Sequence, residues 1–448
     1  MNRGVWIVGA VSPFVWIWTI AGCGRPDLGP PPGPAPGARG TPMHRSPPMA
    51  PIAMPIPRPA APDRSAMPEV VQANNVLAVD LYRAMRARPG NLLIAPPCVT
   101  TGLAMLRVGA RGETADEIDR ALHRSGPLAD GGLAAILGDL NADGTDATFQ
   151  VRLATAAWLQ QDYAIRDDFR RALRATFAVD EDPLVDFAGH PDRAAAQIND
   201  WFAGRTGGKI ADVVSPESVR APARMVLTSA LYFRGQWVET FFEEATREGP
   251  FHPSPASEIT VRMMSLHSYI KTLSYADRGT YRVVSIPCGR GAFSMLIFLP
   301  DAIDGLEAME SALSVEGIEA DLARLRRPDE IRLKLPKFRL RTSDDLIEAL
   351  RSLGITRAFD RTHANFSGIN GRRSDLFLSG ARSSTFIDVD EKGIEAAGVT
   401  WVVAADSFGD EVPEVVVDHP FLYTIRDDRS GTLLFLGRVV DPGADESR

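Results

Sequence analysis

The segment Glu391 to Ala405, EKGIEAAGVTWVVAA, constrains the fold of this chain more than any other stretch. It opens on Glu391-Lys392-Gly393 and closes into the loop-like run Asp406-Ser407-Phe408-Gly409-Asp410. Read with period two, one face carries Ile394, Ala396, Gly398, Thr400, Val402 and Ala404. The other carries Glu395 and Trp401. Small residues with one mostly apolar side suit a segment that slides into a packed sheet. A plain exposed loop would not need that pattern.

Around this segment the periodicity changes along the chain. Helical spacing predicts helices over Val70 to Arg88, Val99 to Val108, Ala115 to Leu122, Pro191 to Ala203 and Asp344 to Ser352. Strands are predicted over Ser294 to Leu299 and Ile331 to Leu335. The order is helix-rich early and strand-rich late, without regular alternation, so an α+β architecture is expected. There is no internal repeat.

A series of short motifs surrounds these elements. Asn91-Leu-Leu-Ile-Ala-Pro-Pro-Cys98 leads to Gly109-Ala-Arg-Gly-Glu-Thr114 and Glu117-Ile118. Then come Ile198-Asn199-Asp-Trp201, Thr206-Gly-Gly-Lys-Ile210 and Ala230-Leu-Tyr-Phe-Arg-Gly-Gln-Trp237. Val261-Arg-Met-Met264, Ser294 to Asp301, Leu335-Pro-Lys-Phe338 and Leu353-Gly-Ile355 follow. His419-Pro420-Phe421 and Leu434-Phe-Leu-Gly-Arg438 close the series. In that order and spacing, residues 69–442 resemble the serpins. The resemblance implies several helices around three β-sheets, with an exposed reactive-centre loop.

The chain of 448 residues has room for two or three average domains or one large one, and is 45% apolar. Its net charge of -8 argues against nucleic acid as a partner. Some serpins bind heparin through a basic helix. The matching region, Leu128 to Gly144, carries Asp130, Asp139 and Asp143 and no Lys or Arg, so no such site is expected.

Residues 1–22 read as a targeting segment. Arg3 precedes an apolar run from Val5 to Ile20, too short for a comfortable transmembrane helix. The run ends in Ile20-Ala21-Gly22-Cys23, which resembles a bacterial lipobox. That resemblance implies cleavage before Cys23 and its acylation, holding the exported protein on a membrane. The alternative is an ordinary signal peptide with an incidental cysteine. Gly24 lacks the acidic residue that retains some lipoproteins at the inner membrane, so an outer-membrane or cell-surface location is preferred. From Cys23 to Pro68 the chain is rich in Pro, Gly and Ala and reads as an extended tether. A short tail, 443–448, ends the chain, and a monomer is expected.

Catalytic signatures are missing: there is no GxSxG elbow, HExxH helix or GxxxxGK[ST] loop. The seven histidines are scattered, and no spacing suggests a metal or cofactor. Cys98 and Cys288 remain in the chain after Cys23 and are expected to be separate packed thiols, although an exported protein can pair them.

The resemblance instead implies a suicide substrate. Serpin loop insertion is a known case of a strand added to a sheet. A serine protease cuts the exposed loop, becomes acylated, and is dragged away as the loop enters the central sheet. About ten new backbone hydrogen bonds at about 1 kcal/mol net each give a drive on the order of 10 kcal/mol. The hinge would be Glu391, Lys392, Gly393, Ile394, Glu395, Ala396, Ala397 and Gly398. Gly393 tolerates unusual torsions, and Ala396, Ala397 and Gly398 enter without overpacking. Ile394 stands where the family usually has Thr. Hinge-to-bond spacing puts the reactive bond at Ser407-Phe408, with Phe408, Asp406 and Ala405 as alternative positions before the cut. Small residues there suit an elastase-like or subtilisin-like enzyme, and Phe408 a chymotrypsin-like one. Trp237 and Lys337 would lie where the loop enters, Lys337 paired with Glu391. The family's usual Ser, Asn and His cluster beneath the central strands is altered: the matching positions hold Ala95, Cys98, Ser229 and Ser383. Two alternatives stay open: a non-inhibitory serpin serving as protease substrate or binding module, and a surface hydrolase on the same fold.

Overall fold

The computed structural model describes residues 15–22, 64–124, 131–142, 148–177, 183–205, 214–220, 222–394 and 412–444. Three sheets organise them, of seven, six and four strands. The seven-stranded central sheet contains β1 (Val15–Gly22), β2 (Phe149–Gln160), β3 (Leu184–Val185), β4 (Ala223–Gln236), β5 (Phe338–Asp345), β6 (Leu376–Val389) and β7 (Gly393–Ile394). Across the sheet, β5 pairs with β6, and β4 with β2 and then β3. Between β6 and β4 lies a single lane shared by β7 and β1. The six-stranded sheet includes Leu433–Val439, Phe421–Asp427, Phe293–Pro300 and Tyr281–Cys288. The four-stranded sheet carries Ile331–Pro336 between Glu414–Val416 and Ser257–Ser268.

Residue choice explains these elements. β4 is buried almost without interruption from Ala223 to Phe233, as a strand covered on both faces must be. On one face, α2 (Pro96–Gly109) packs against β4, β1 and Leu433–Val439. On the other, α3 (Pro191–Arg205) buries Ile198 and Phe202 against Trp158, Val226 and Ala230. The N-terminal helix α1 (Met67–Met85) has Pro68 in its first turn, where a missing amide costs nothing. Its Val70, Asn74, Leu77, Ala78, Leu81 and Met85 are buried at helical spacing.

The predicted elements fall where expected, with two differences. Asp344 and Asp345 end strand β5 and do not open a helix. The helix starts at Ile347, and Asp345 caps the turn by accepting a hydrogen bond from the Ile347 amide at 2.9 Å. A capping side chain works from the end of a strand as well as from a loop, so the sequence signal was displaced by about one turn. The second difference is larger. The apolar run read as a leader outside the fold contributes β1, which pairs antiparallel with both β6 and β4. In the uncut chain this apolar run satisfies a lane with open edges on both sides.

Candidate functional site

The loop segment leaves β6 at Val389 and turns through Asp390, Glu391 and Lys392 into β7. The turn is closed by its own backbone, since the Asp390 amide donates to the Gly393 carbonyl at 3.0 Å. Asp390 Oδ1 also accepts from the amides of Lys392 and Gly393, at 2.9 and 3.1 Å. Burial pushes the Asp390 carboxyl above the ordinary aspartate value, and these amides oppose the shift.

Three elements converge on this turn, because the sheets meet there. Lys337 stands at the joint between the Ile331–Pro336 strand and β5, its amide bonded to the Arg262 carbonyl. Trp237 follows β4 and forms a bridge with Cys288 of the six-stranded sheet. Lys337 Nζ donates to Glu391 Oε2 at 2.7 Å, and Thr246 Oγ1 donates to Glu391 Oε1 at 2.8 Å. Glu391 is only 5% exposed. Burial would raise its carboxyl, but the Lys337 and Thr246 hydrogen bonds outweigh burial and hold it below the usual glutamate range. Trp237 donates through Nε1 to the Asp390 carbonyl at 2.9 Å and through its amide to the Lys392 carbonyl at 3.0 Å. The Phe241 amide takes the Glu391 carbonyl at 2.9 Å. Lys392 pairs with Glu243 at 3.1 Å, an exposed contact that raises its ammonium group.

So the expected pairing of Lys337 with Glu391 and the placement of Trp237 at the turn are both present. Thr246, Phe241 and Glu243 complete the latch. No sequence motif marked them, because they come from the strand-poor stretch after Trp237 and act partly through backbone groups.

Below the turn, β7 occupies the top of the lane. Gly393 pairs with Gln236, and Ile394 with Gly235 and Val389. Ile394 is buried in the main core, so its bulk is accommodated there. Opposite it, Gly235 sits in a tight place: a Cβ there would lie 3.0 Å from Cys288 Sγ and from the Phe233 ring. Glu395, Ala396, Ala397 and Gly398 of the expected hinge, Ser407 and Phe408 of the expected reactive bond, and Cys23 lie outside the described residues.

The altered cluster sits midway down the lane. Cys98, at the start of α2, is fully buried, and burial drives its thiol far above the ordinary value while the neighbouring Ser229 hydroxyl opposes this. Ser229 Oγ is itself buried without a hydrogen bond of normal geometry. Ser383 Oγ is 3.0 Å from Thr385 Oγ1. The network is reduced to a hydroxyl pair on β6 and a thiol beneath β4. Cys98 and Cys288 are both unpaired and buried, as separate thiols.

Comparison with known proteins accords with this architecture. The family model described as Serpin (serine protease inhibitor) matches residues 72–442. The chain is 34% identical to the leukocyte elastase inhibitor of Bos taurus, over 84% of this chain and all of that protein. It is 33% identical to a serine protease inhibitor of Cyanea capillata, over 82% of this chain and 97% of the relative. Among solved structures, uncleaved ovalbumin superposes with TM-score 0.72 at 25% identity, covering 83% of this chain and all of ovalbumin. Cleaved Serpin 42Da gives the same TM-score at 27% identity, covering 84% and 99%. This chain belongs to the serpin family.

Proposed function

We propose that this chain inhibits serine proteases as a suicide substrate. The observation that carries the reading is β7: the first residues past the turn already sit between β6 and β4, pointing down the lane. A protease serine attacks the carbonyl carbon of the bait bond, placed at Ser407-Phe408. The peptide bond breaks, Phe408 leaves as a free amine, and the Ser407 carbonyl remains as an ester on the enzyme. The freed loop then continues the strand that β7 has begun, and the attached protease is carried with it before water cleaves the ester.

The register is fixed at the start. Continuing β7 along both neighbours would bring Thr400 opposite Ser383 and Ser229, and Val403 opposite Gly380 and Val226. Even-numbered residues would follow Ile394 into the main core, where Ala396 and Gly398 are small enough to enter without strain. Small residues around Ser407 and Ala405 suit an elastase-like or subtilisin-like protease, and Phe408 a chymotrypsin-like one. The names of the relatives favour the elastase-like target. The protein acts as bait and trap, not as a catalyst, and works as a monomer.

We further propose that it does so from a membrane, exported and anchored through acylated Cys23, with Cys23 to Pro68 as tether and the outer membrane or cell surface as location. The lipobox-like run Ile20 to Cys23 supports this. Labelled palmitate incorporated by the parent and lost in Cys23→Ala is the expected result.

Incubation of the mature protein with elastase and with chymotrypsin tests the inhibitory reading. A covalent complex surviving denaturing electrophoresis is expected. A clipped loop with the protease fully active would assign the chain to the non-inhibitory branch of the family.

A further inference from the structure

Strand β1 lies in the path the cut loop must take. All eight of its residues, Val15 to Gly22, pair with β6 from Ser384 down to Leu376. On its other side, Trp16 to Ala21 pair with β4 from Ser229 to Ala223. Both pairings are antiparallel, so β1 runs in the direction of β7 and continues its line.

The registers of the two segments coincide. Trp16 is opposite Ser383 and Ser229, the partners that an inserting Thr400 would take. Thr19 is opposite Gly380 and Val226, the partners of an inserting Val403. Two independent neighbours give the same correspondence, so β1 is in phase with the loop as well as in its lane. Side chains follow. Ile20 is fully buried in the main core, on the side Ile394 faces, and Ile17 joins the cluster beneath α3. The Thr19 carbonyl accepts from the Ser379 hydroxyl at 3.1 Å.

We propose that the uncut leader is an autoinhibitory strand: while residues 1–22 remain attached, β1 fills the lane and the chain cannot complete loop insertion. This rests on the inhibitory reading and on the proposed cleavage before Cys23, and it names how that activity is switched. The two occupants exclude each other, since β4 and β6 each have one free edge and one strand uses both. In the precursor a cut loop stalls beyond β7, the acyl ester is hydrolysed, and the protease leaves. Hydrolysis of the Gly22-Cys23 amide, one water added across it, separates β1 from the rest of the chain. β1 is then held without a covalent tether, and its departure opens the lane. Inhibition therefore begins only after export and processing, and inhibitor still inside the cell is unarmed.

The experiment compares the full chain of 448 residues with leader retained, its Ile17→Asp/Ile20→Asp variant, and the processed protein recovered from export. Hydrogen exchange, thermal melting and trapping of elastase are read on each. Slow exchange across residues 15–22 is expected in the full chain. It should melt about 10 °C or more above the processed protein, with little or no covalent elastase complex. The double variant should lose both the protection and the extra melting temperature and regain trapping. Exchange of residues 15–22 at the rate of an unstructured peptide overturns the proposal, and that readout does not depend on whether the variant folds. Equal melting and equal trapping by full chain and processed protein overturn it as well. If lane protection is present but the processed protein forms no covalent complex, the inhibitory reading fails while β1 stays in the lane.

Discussion

The top and the middle of the lane between β4 and β6 are held in different ways. At the top, the carbonyls of Asp390, Glu391 and Lys392 each have a donor from Trp237 or Phe241. Glu391 adds a charged hydrogen bond to Lys337. Lower down, β1 is held by backbone pairing and by Ile17 and Ile20, with side-chain hydrogen bonds from Ser379 Oγ to the Thr19 carbonyl and, at 3.4 Å, from Thr19 Oγ1 to the Ser218 carbonyl. At the entry, directional bonds fix the backbone of the turn, and the buried Glu391 carboxylate adds a contact that depends on residue identity. The lane below is held mainly by backbone pairing and apolar burial, which an extended, mostly apolar segment such as β1 can satisfy.

That contrast can be broken at its strongest point by Ala396→Arg. A long charged side chain on the core-facing side of the lane has no partner there, so insertion should stop. The expected result is complete loss of the covalent protease complex with loop cleavage unimpaired, read by electrophoresis. Retained trapping would show that the lane does not receive Ala396 on its core side.

Next in size is Trp237→Ala. It removes a buried ring and the donor to the Asp390 carbonyl, at a cost of about 3–5 kcal/mol measured by denaturant unfolding. A loss below about 1 kcal/mol would mean that the turn is held without it. Lys337→Ala should cost less, about 1 kcal/mol, because the lysine is partly exposed and solvent screens the pair.

The acid limb sharpens the same point. Glu391 titrates below its ordinary value, so the stability it contributes is present above the unfolded-state pKa of about 4.3. It is lost as pH falls through the lower native value. The deficit of Glu391→Gln relative to the parent should therefore be full at neutral pH and shrink below about pH 4. A deficit independent of pH would assign the effect to packing alone. The smallest effect concerns the thiols: Cys98 and Cys288 should resist a thiol reagent in the native protein and react on unfolding, since burial raises both.

Much of this was legible in the sequence. The pairing of Lys337 with Glu391 was legible only through the family resemblance that Leu335-Pro-Lys-Phe338 and Glu391-Lys-Gly393 help to carry. The apolar run Ser294 to Leu299 announced the strand Phe293–Pro300, whereas β4 was marked only in part, by the motif Ala230 to Trp237. Thr246 and Phe241 were not legible, since one acts through a hydroxyl and the other through an amide that any residue carries. The pairing of β1 in the sheet was not legible for a related reason. An apolar run with a basic residue before it fits a leader, and its fit to the lane depends on the edges of β4 and β6, far away in the chain.

The claim that most depends on measurement is that a severed loop gains stability by becoming the next strand of the central sheet. Melting the processed protein before and after a single cut in residues 395–411 tests it directly. A rise of about 10 °C or more is expected for the cut form. Equal melting temperatures would contradict it.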